Sequence, residues 1–236
     1  MGGIELKNVQ KSYLVDGRAF PVLQGINLTL PENTITVILG RSGCGKTTLL
    51  RLVGGLEEPD EGEIIFHAEH KTAFVFQESR LMPWLNVWDN VRFGLEKKAD
   101  DRPFIQNIID MVGLSGFEKA YPTQLSGGMK QRGAIARAFA YEPSFIMMDE
   151  PFAALDYFTR TQMQRELKRL QEERGASILF VTHSIDEALL LGDKIVMIED
   201  GQIKSELTIE TEGSERDLLE AEYIERKKKI QNDLGE

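Results

Sequence analysis

The sequence predicts an α/β fold built around a largely parallel sheet, and three observations predict it. Short, continuous apolar runs, many of them β-branched, recur along the chain, as strands buried on both faces require. Segments with helical periodicity lie between these runs, the alternation that a parallel sheet needs. One of the runs leads directly into a glycine-rich turn followed by a further helical pattern.

Taken in order, Ile4-Glu5-Leu6 and Ile26-Asn27-Leu28-Thr29-Leu30 alternate as short strands, with Asp16-Gly17 as a turn signal between them. They predict an N-terminal antiparallel β subdomain. Thr34 to Leu39 (TITVIL) is the first fully buried strand, ending at Gly40. Comparable runs follow at Thr72–Phe76, Phe145–Met148, Ile178–Val181 and Ile195–Ile198. Met163, Leu167 and Leu170 share one helix face, and Gly175 stops that helix. Ser184-Ile185-Asp186-Glu187 has the spacing of a capping box opening another helix. From about 78 to 142 no convincing strand occurs, so this stretch is read as a helical subdomain inserted in the core. From about 208 to 236 runs a helical tail, with Leu219, Tyr223, Arg226 and Ile230 on one face. Its Lys227-Lys228-Lys229 run reads as a solvated face, with membrane or nucleic-acid contact as the alternative. All of 1–236 is read as one domain.

Composition removes several classes. The 236 residues carry 28 Lys and Arg against 38 Asp and Glu, a formal charge of −10 that opposes any general grip on nucleic acid. No stretch approaches the ~18 consecutive apolar residues of a membrane span. The opening MGGIELKNVQ lacks the basic region and apolar core of a secretory signal. A single cysteine, Cys44, suits a reducing, cytoplasmic compartment.

Gly40-Arg41-Ser42-Gly43-Cys44-Gly45-Lys46-Thr47 matches G-x-x-x-x-G-K-[ST], the loop whose backbone N–H groups curl round phosphate oxygens. Lys46 is placed to reach the β- and γ-phosphates, and the Thr47 hydroxyl to coordinate Mg²⁺. Thr48, opening the helix that follows, joins them among the nucleotide-binding positions. This pattern makes the chain a binder of a nucleoside triphosphate. Cys44, near that helix N-terminus and Lys46, is expected to have a lowered thiol pKa and to be protected from alkylation by nucleotide. The alternative is that it is simply a small residue that fits. Phe145 to Glu150 delivers two carboxylates at the C-terminal end of a buried strand, where ligands of open α/β sheets bind. There Asp149 suits the Mg²⁺ shell and Glu150 a general base on the attacking water. Ser126, Gly127 and Gly128 open a second helical pattern and form a second anion cradle. One triphosphate does not need two cradles in one chain, unless the second serves a nucleotide held by another subunit.

With Leu125-Ser126-Gly127-Gly128-Met129-Lys130-Gln131, the chain resembles the nucleotide-binding subunit of ATP-binding cassette (ABC) transporters over nearly its whole length. Met129 stands where glutamine is most common, a departure that leaves Ser126, Gly127 and Gly128 untouched. The resemblance implies a P-loop NTPase core and further roles. Tyr13 matches the aromatic residue that stacks on adenine. Gln77 matches the glutamine that contacts Mg²⁺ and the attacking water and senses the membrane partner. Asp156, in Ala154-Leu155-Asp156, lies in the loop that crosses the dimer interface, and His183 matches the switch histidine on the γ-phosphate. It also implies a head-to-tail pair with a second copy or a paralogous ATPase subunit, two ATP molecules sandwiched between them. Integral membrane permease subunits and, indirectly, an extracytoplasmic substrate-binding protein complete the expected machine. The chain itself would work at the inner face of the cell membrane.

The stretches LMPWLNVWDNV and HSIDEALLLGDKI are similar to the nitrate, sulfonate and taurine importer branch, with thiamine-precursor systems close by. Trp84 and Trp88 suit a groove receiving a helix of the permease, or else packing inside the helical subdomain. His67 and His70 are expected to face solvent rather than to hold a metal. An ABC exporter or lipid-handling ATPase, a soluble non-transport ABC ATPase and a non-hydrolysing nucleotide sensor remain as alternatives.

Overall fold

The computed structural model describes residues 3–67, 70–95, 102–209, 216, 218 and 220–234. The chain opens with β1 (Gly3–Val15), β2 (Arg18–Pro31), β3 (Ile35–Leu39), α1 (Lys46–Val53) and β4 (Glu61–Phe66). It continues with β5 (Thr72–Val75), α2 (Val87–Val91), α3 (Arg102–Met111), α4 (Gly127–Ala140), β6 (Phe145–Asp149) and α5 (Tyr157–Arg174). It closes with β7 (Ser177–Thr182), α6 (Ile185–Leu191), β8 (Lys194–Glu199), β9 (Gln202–Thr208) and α7 (Ala221–Leu234). No helix among the described residues is long and apolar enough to cross a membrane. Two compact units result, one made of Met1–His70 with Ser177–Glu236, the other of Lys71–Ala176.

The first unit holds an antiparallel sheet in the order β2-β1-β4. The β1–β2 hairpin turns at Asp16 and Gly17, whose φ of 50° and 75° match the right-handed twist of the flanking strands. These two strands run to 13 and 14 residues, longer than the apolar alternation suggested. Pairing continues past the buried part through register shifts between Leu6 and Ser12, where one face meets solvent and the pattern fades. In the same unit β3 lies between β7 and β8, parallel to both, and β9 pairs antiparallel with β8. Every residue of β3 and β7 is buried, which is why both read as unbroken apolar runs. α1 buries Leu49, Leu50, Leu52 and Val53, each worth roughly 1.5–3 kcal/mol of transfer free energy. α7 buries Tyr223, Ile230 and Leu234. Lys228 and Lys229 are exposed, whereas Lys227 pairs with Asp186 at 2.6 Å. Leu219 lies outside the described residues.

In the second unit β5 and β6 pair in parallel, from Thr72 opposite Phe145 to Val75 opposite Met148. Asn86 caps α2 by accepting from the Asp89 N–H at 2.8 Å. Asn90, on that helix and fully buried, accepts from the Met82 N–H at 2.8 Å. Its amide donates to the carbonyls of Met82, Leu85 and Asn86 at 3.1, 2.9 and 3.0 Å. The turn carrying Trp84 is thereby pinned to one side chain. α5 buries Met163, Leu167 and Leu170 and ends at Gly175 in the left-handed conformation, φ 64°.

Candidate functional site

The loop after β3 is built by what its glycines permit. A Cβ on Gly40 would lie 2.4 Å from the Ile198 carbonyl oxygen and 2.7 Å from Cys44 Sγ. Gly45 has φ +104°, and a Cβ there would lie 2.7 Å from Leu23 Cδ2. α1 begins at the next residue with no side-chain cap at Gly45, leaving its positive end to the loop. Lys46 is 6% exposed, and its ammonium donates to the carbonyls of Gly40 and Arg41, both at 2.8 Å. Arg41, Ser42 and Gly43 are exposed, Thr47 is half-buried and Thr48 buried. A cleft of about 560 Å³ runs beside the loop, lined by Arg41 to Cys44 with Phe20 and Asp200. Half-buried Cys44 corrects one expectation: burial pushes its thiol pKa up, outweighing the lowering by Lys46.

Elsewhere in this unit Tyr13 is half-buried near the end of β1, and its phenol donates to the Glu57 carboxylate. Burial first, and then that bond, raises the phenol pKa, while a hydrogen bond with Thr48 opposes the rise. Tyr13 and the phosphate-loop helix are thus brought together. His183 is exposed immediately after β7. Its neighbours are locked: the Thr182 hydroxyl donates to Glu187 at 2.6 Å and accepts from the Ser184 N–H at 3.0 Å. Ser184 Oγ accepts from the Glu187 N–H at 3.3 Å, the N-cap half of the box expected for α6, while Thr182 rather than Glu187 takes the Ser184 N–H. His67 is exposed, 3.6 Å from Glu5, but His70 tucks against Phe66 with its ring nitrogens shielded from solvent. Among the described residues no group of three or more His, Cys, Asp or Glu side chains could hold a metal.

In the other unit Asp149 ends β6 half-buried, and Glu150 follows with φ +42°, a conformation sparsely populated by non-glycine residues. Gln77 is exposed just beyond β5. The segment bearing it is strapped to α4, where Gln131 donates to the Phe76 carbonyl at 2.9 Å. Arg137 donates to the carbonyls of Ser79 and Arg80 at 3.3 and 3.0 Å. Ser126 caps α4, accepting from the Met129 N–H at 3.2 Å. A Cβ on Gly128 would lie 3.0 Å from Leu155, so this glycine and the residue before Asp156 pack together. Asp156 caps α5, taking the Thr159 N–H at 3.1 Å and its hydroxyl at 2.6 Å, bonds that hold its carboxyl below the usual range. Trp84 is 70% exposed and Trp88 half-buried. Sequence reasoning missed Glu57, Asn90, Gln131 and Arg137, whose partners lie far away or on the backbone and leave no local pattern.

Comparison with known proteins gives these features a setting. Residues 23–153 match the family model described as ABC transporter. An uncharacterized ABC transporter ATP-binding protein of Methanocaldococcus jannaschii, MJ0412, is 43% identical, covering 98% of this chain and 91% of its own. The aliphatic sulfonates import ATP-binding protein SsuB of Pseudomonas putida is 42% identical over 87% of this chain and 80% of its own. The solved dimeric, post-hydrolysis ATP-binding cassette MJ0796 bound to ADP and Pi superposes with a TM-score of 0.79 at 33% identity, covering 88% of this chain and 99% of that one. The chain belongs to the ABC transporter family, as one of its ATP-binding, ATP-hydrolysing cassettes.

Proposed function

We propose that the chain is the ATPase subunit of a multi-subunit importer, energising uptake of a small solute of the nitrate, sulfonate or taurine type, or of the thiamine-precursor type, through separate membrane subunits. The observation that carries this reading is the phosphate loop with buried Lys46, set in a sequence 42% identical to a sulfonate import subunit. In it 1–236 forms one cassette, with about 78–142 as the helical insertion and about 208–236 as the tail.

The N–H groups of Gly40 to Gly45 cradle the phosphates, Lys46 turns its ammonium to the β- and γ-phosphates, and Tyr13 stacks on the base. Thr48 supports the loop. Glu150 takes a proton from the attacking water and His183 holds the γ-phosphate end. The hydroxyl of Thr47, the carboxylate of Asp149 and the amide oxygen of Gln77 are hard oxygen donors of the kind Mg²⁺ accepts alongside waters and phosphates. Bound there, Mg²⁺ would neutralise charge developing on the phosphates. Ser126, Gly127 and Gly128 present their helix end to the nucleotide of the paired subunit, and Asp156 lies on the crossing loop. The likeness to a cassette solved as a dimer supports a head-to-tail pair with itself or a paralogue.

Exposed Trp84 is the contact offered to the permease at the inner membrane face. Affinity purification from detergent-solubilised membranes should retain the permease with the native chain and lose most of it with Trp84→Ala, whose stability should be unchanged. Solute binding to the extracytoplasmic receptor of that permease then identifies the cargo. Recovery of ribosomes or DNA-repair complexes in place of a membrane protein would overturn the reading.

A further inference from the structure

We propose that Glu57 is a positioning residue that moors the Tyr13 ring to the phosphate-loop helix, fixing the span between the base and phosphate ends of the nucleotide. The inference rests on the reading of Tyr13 as the base shelf.

Tyr13 lies where β1 runs out towards solvent; Leu14 and Val15, which follow it, are 80% and 56% exposed. A ring at such a place would exchange rotamers freely, and ordering it only when a ligand arrives would cost affinity. Two bonds prevent this. The phenol donates to Glu57, and a second bond joins it to buried Thr48, the third residue of α1. The other oxygen of Glu57 accepts from Arg51 Nη1 at 3.3 Å, and Arg51 belongs to α1 as well. Both routes from the ring therefore end on the helix whose first residue is Lys46. The phenol spends its one donor on Glu57, and Lys11 sits over one ring face, 5.8 Å from the centroid and tied to Asp60 at 2.9 Å. On this reading a base stacks on the face opposite Lys11. Because burial and Glu57 both raise the phenol pKa, the hydroxyl stays a donor across the neutral range. Glu57 touches no reacting atom; it acts through Tyr13.

The test measures affinity of the full chain by calorimetry for Mg-ATP and for Mg-tripolyphosphate, which lacks base and ribose. Glu57→Ala should weaken ATP about three- to tenfold, the usual worth of one hydrogen bond, and leave tripolyphosphate unchanged. Tyr13→Phe should do the same, the double variant should be no weaker than either single one, and Glu57→Gln should recover most of the loss. Equal weakening of both ligands by Glu57→Ala, or additive losses in the double variant, would overturn the mooring. Tyr13→Ala tests the shelf itself. If it keeps the full preference for ATP over tripolyphosphate, the shelf fails and the mooring with it. If Tyr13→Ala loses that preference while Glu57→Ala keeps it, the shelf stands and only the mooring falls.

Discussion

Lys46 is nearly buried, yet its charge is met by two carbonyls of its own loop, so a cation is kept beside the glycine-rich turn at small cost. Glu150 and Cys44 depend in the same way on where the backbone puts them. Glu150→Gln removes the proposed base and keeps the shape; turnover should drop about 10²- to 10⁴-fold with ATP binding retained. Phosphate release in a single turnover measures this, and an unchanged rate would remove Glu150 from the role. For Cys44 the raised thiol pKa sets the sign: less thiolate is present near neutrality than on an ordinary cysteine. Alkylation by iodoacetamide should be slower than that of free cysteine at pH 7.5, should accelerate as pH rises beyond the ordinary thiol range, and should be blocked by ATP. Fast, pH-independent labelling would contradict the burial.

At the scale of elements, the Asn90 staple holds four backbone groups of the turn preceding α2. The Met82 and Asn86 carbonyls also accept from the backbone N–H groups of Leu85 and Asn90, so Asn90→Ala takes the bond from the Met82 N–H and the Leu85 carbonyl. It should cost about 2–4 kcal/mol, read as a lowered urea midpoint with an unchanged slope. A shift below ~0.5 kcal/mol would mean that water replaces the amide at once. Sequence pattern could not show this residue, because an asparagine bonded to carbonyls looks like any polar residue. The same limit explains the strands. β3, β6, β7 and β8 declare themselves through buried apolar runs. β4 and β9 went unread because EGEIIF and QIKSELT are mostly exposed edges whose strand character comes from pairing with β1 and β8. The phosphate loop was fully legible, since backbone and glycines build it within eight consecutive residues. The Tyr13–Glu57 bond joins residues 44 apart in sequence and had no local sign.

At the scale of the whole molecule, a head-to-tail pair makes a sharp prediction about mixtures. Lys46→Ala spoils the phosphate loop and Gly128→Asp the opposing cradle, so each variant alone should hydrolyse almost nothing. Mixed one to one, half of the pairs carry one intact loop facing one intact cradle, and about a quarter of native activity should return. A mixture as inactive as its components would mean that each chain completes its own site. The strand order has a consequence for synthesis. β3, which ends at the phosphate loop, is paired on one side with residues 178–182 and on the other with 194–197. A nascent chain that has emerged only to residue 176 lacks both neighbours of that strand, and the loop-closure entropy for them is met only once residues 178–197 have emerged. The phosphate loop, made early, is therefore among the last parts to become functional, and ATP capture reports that residues 178–197 have been made and have folded.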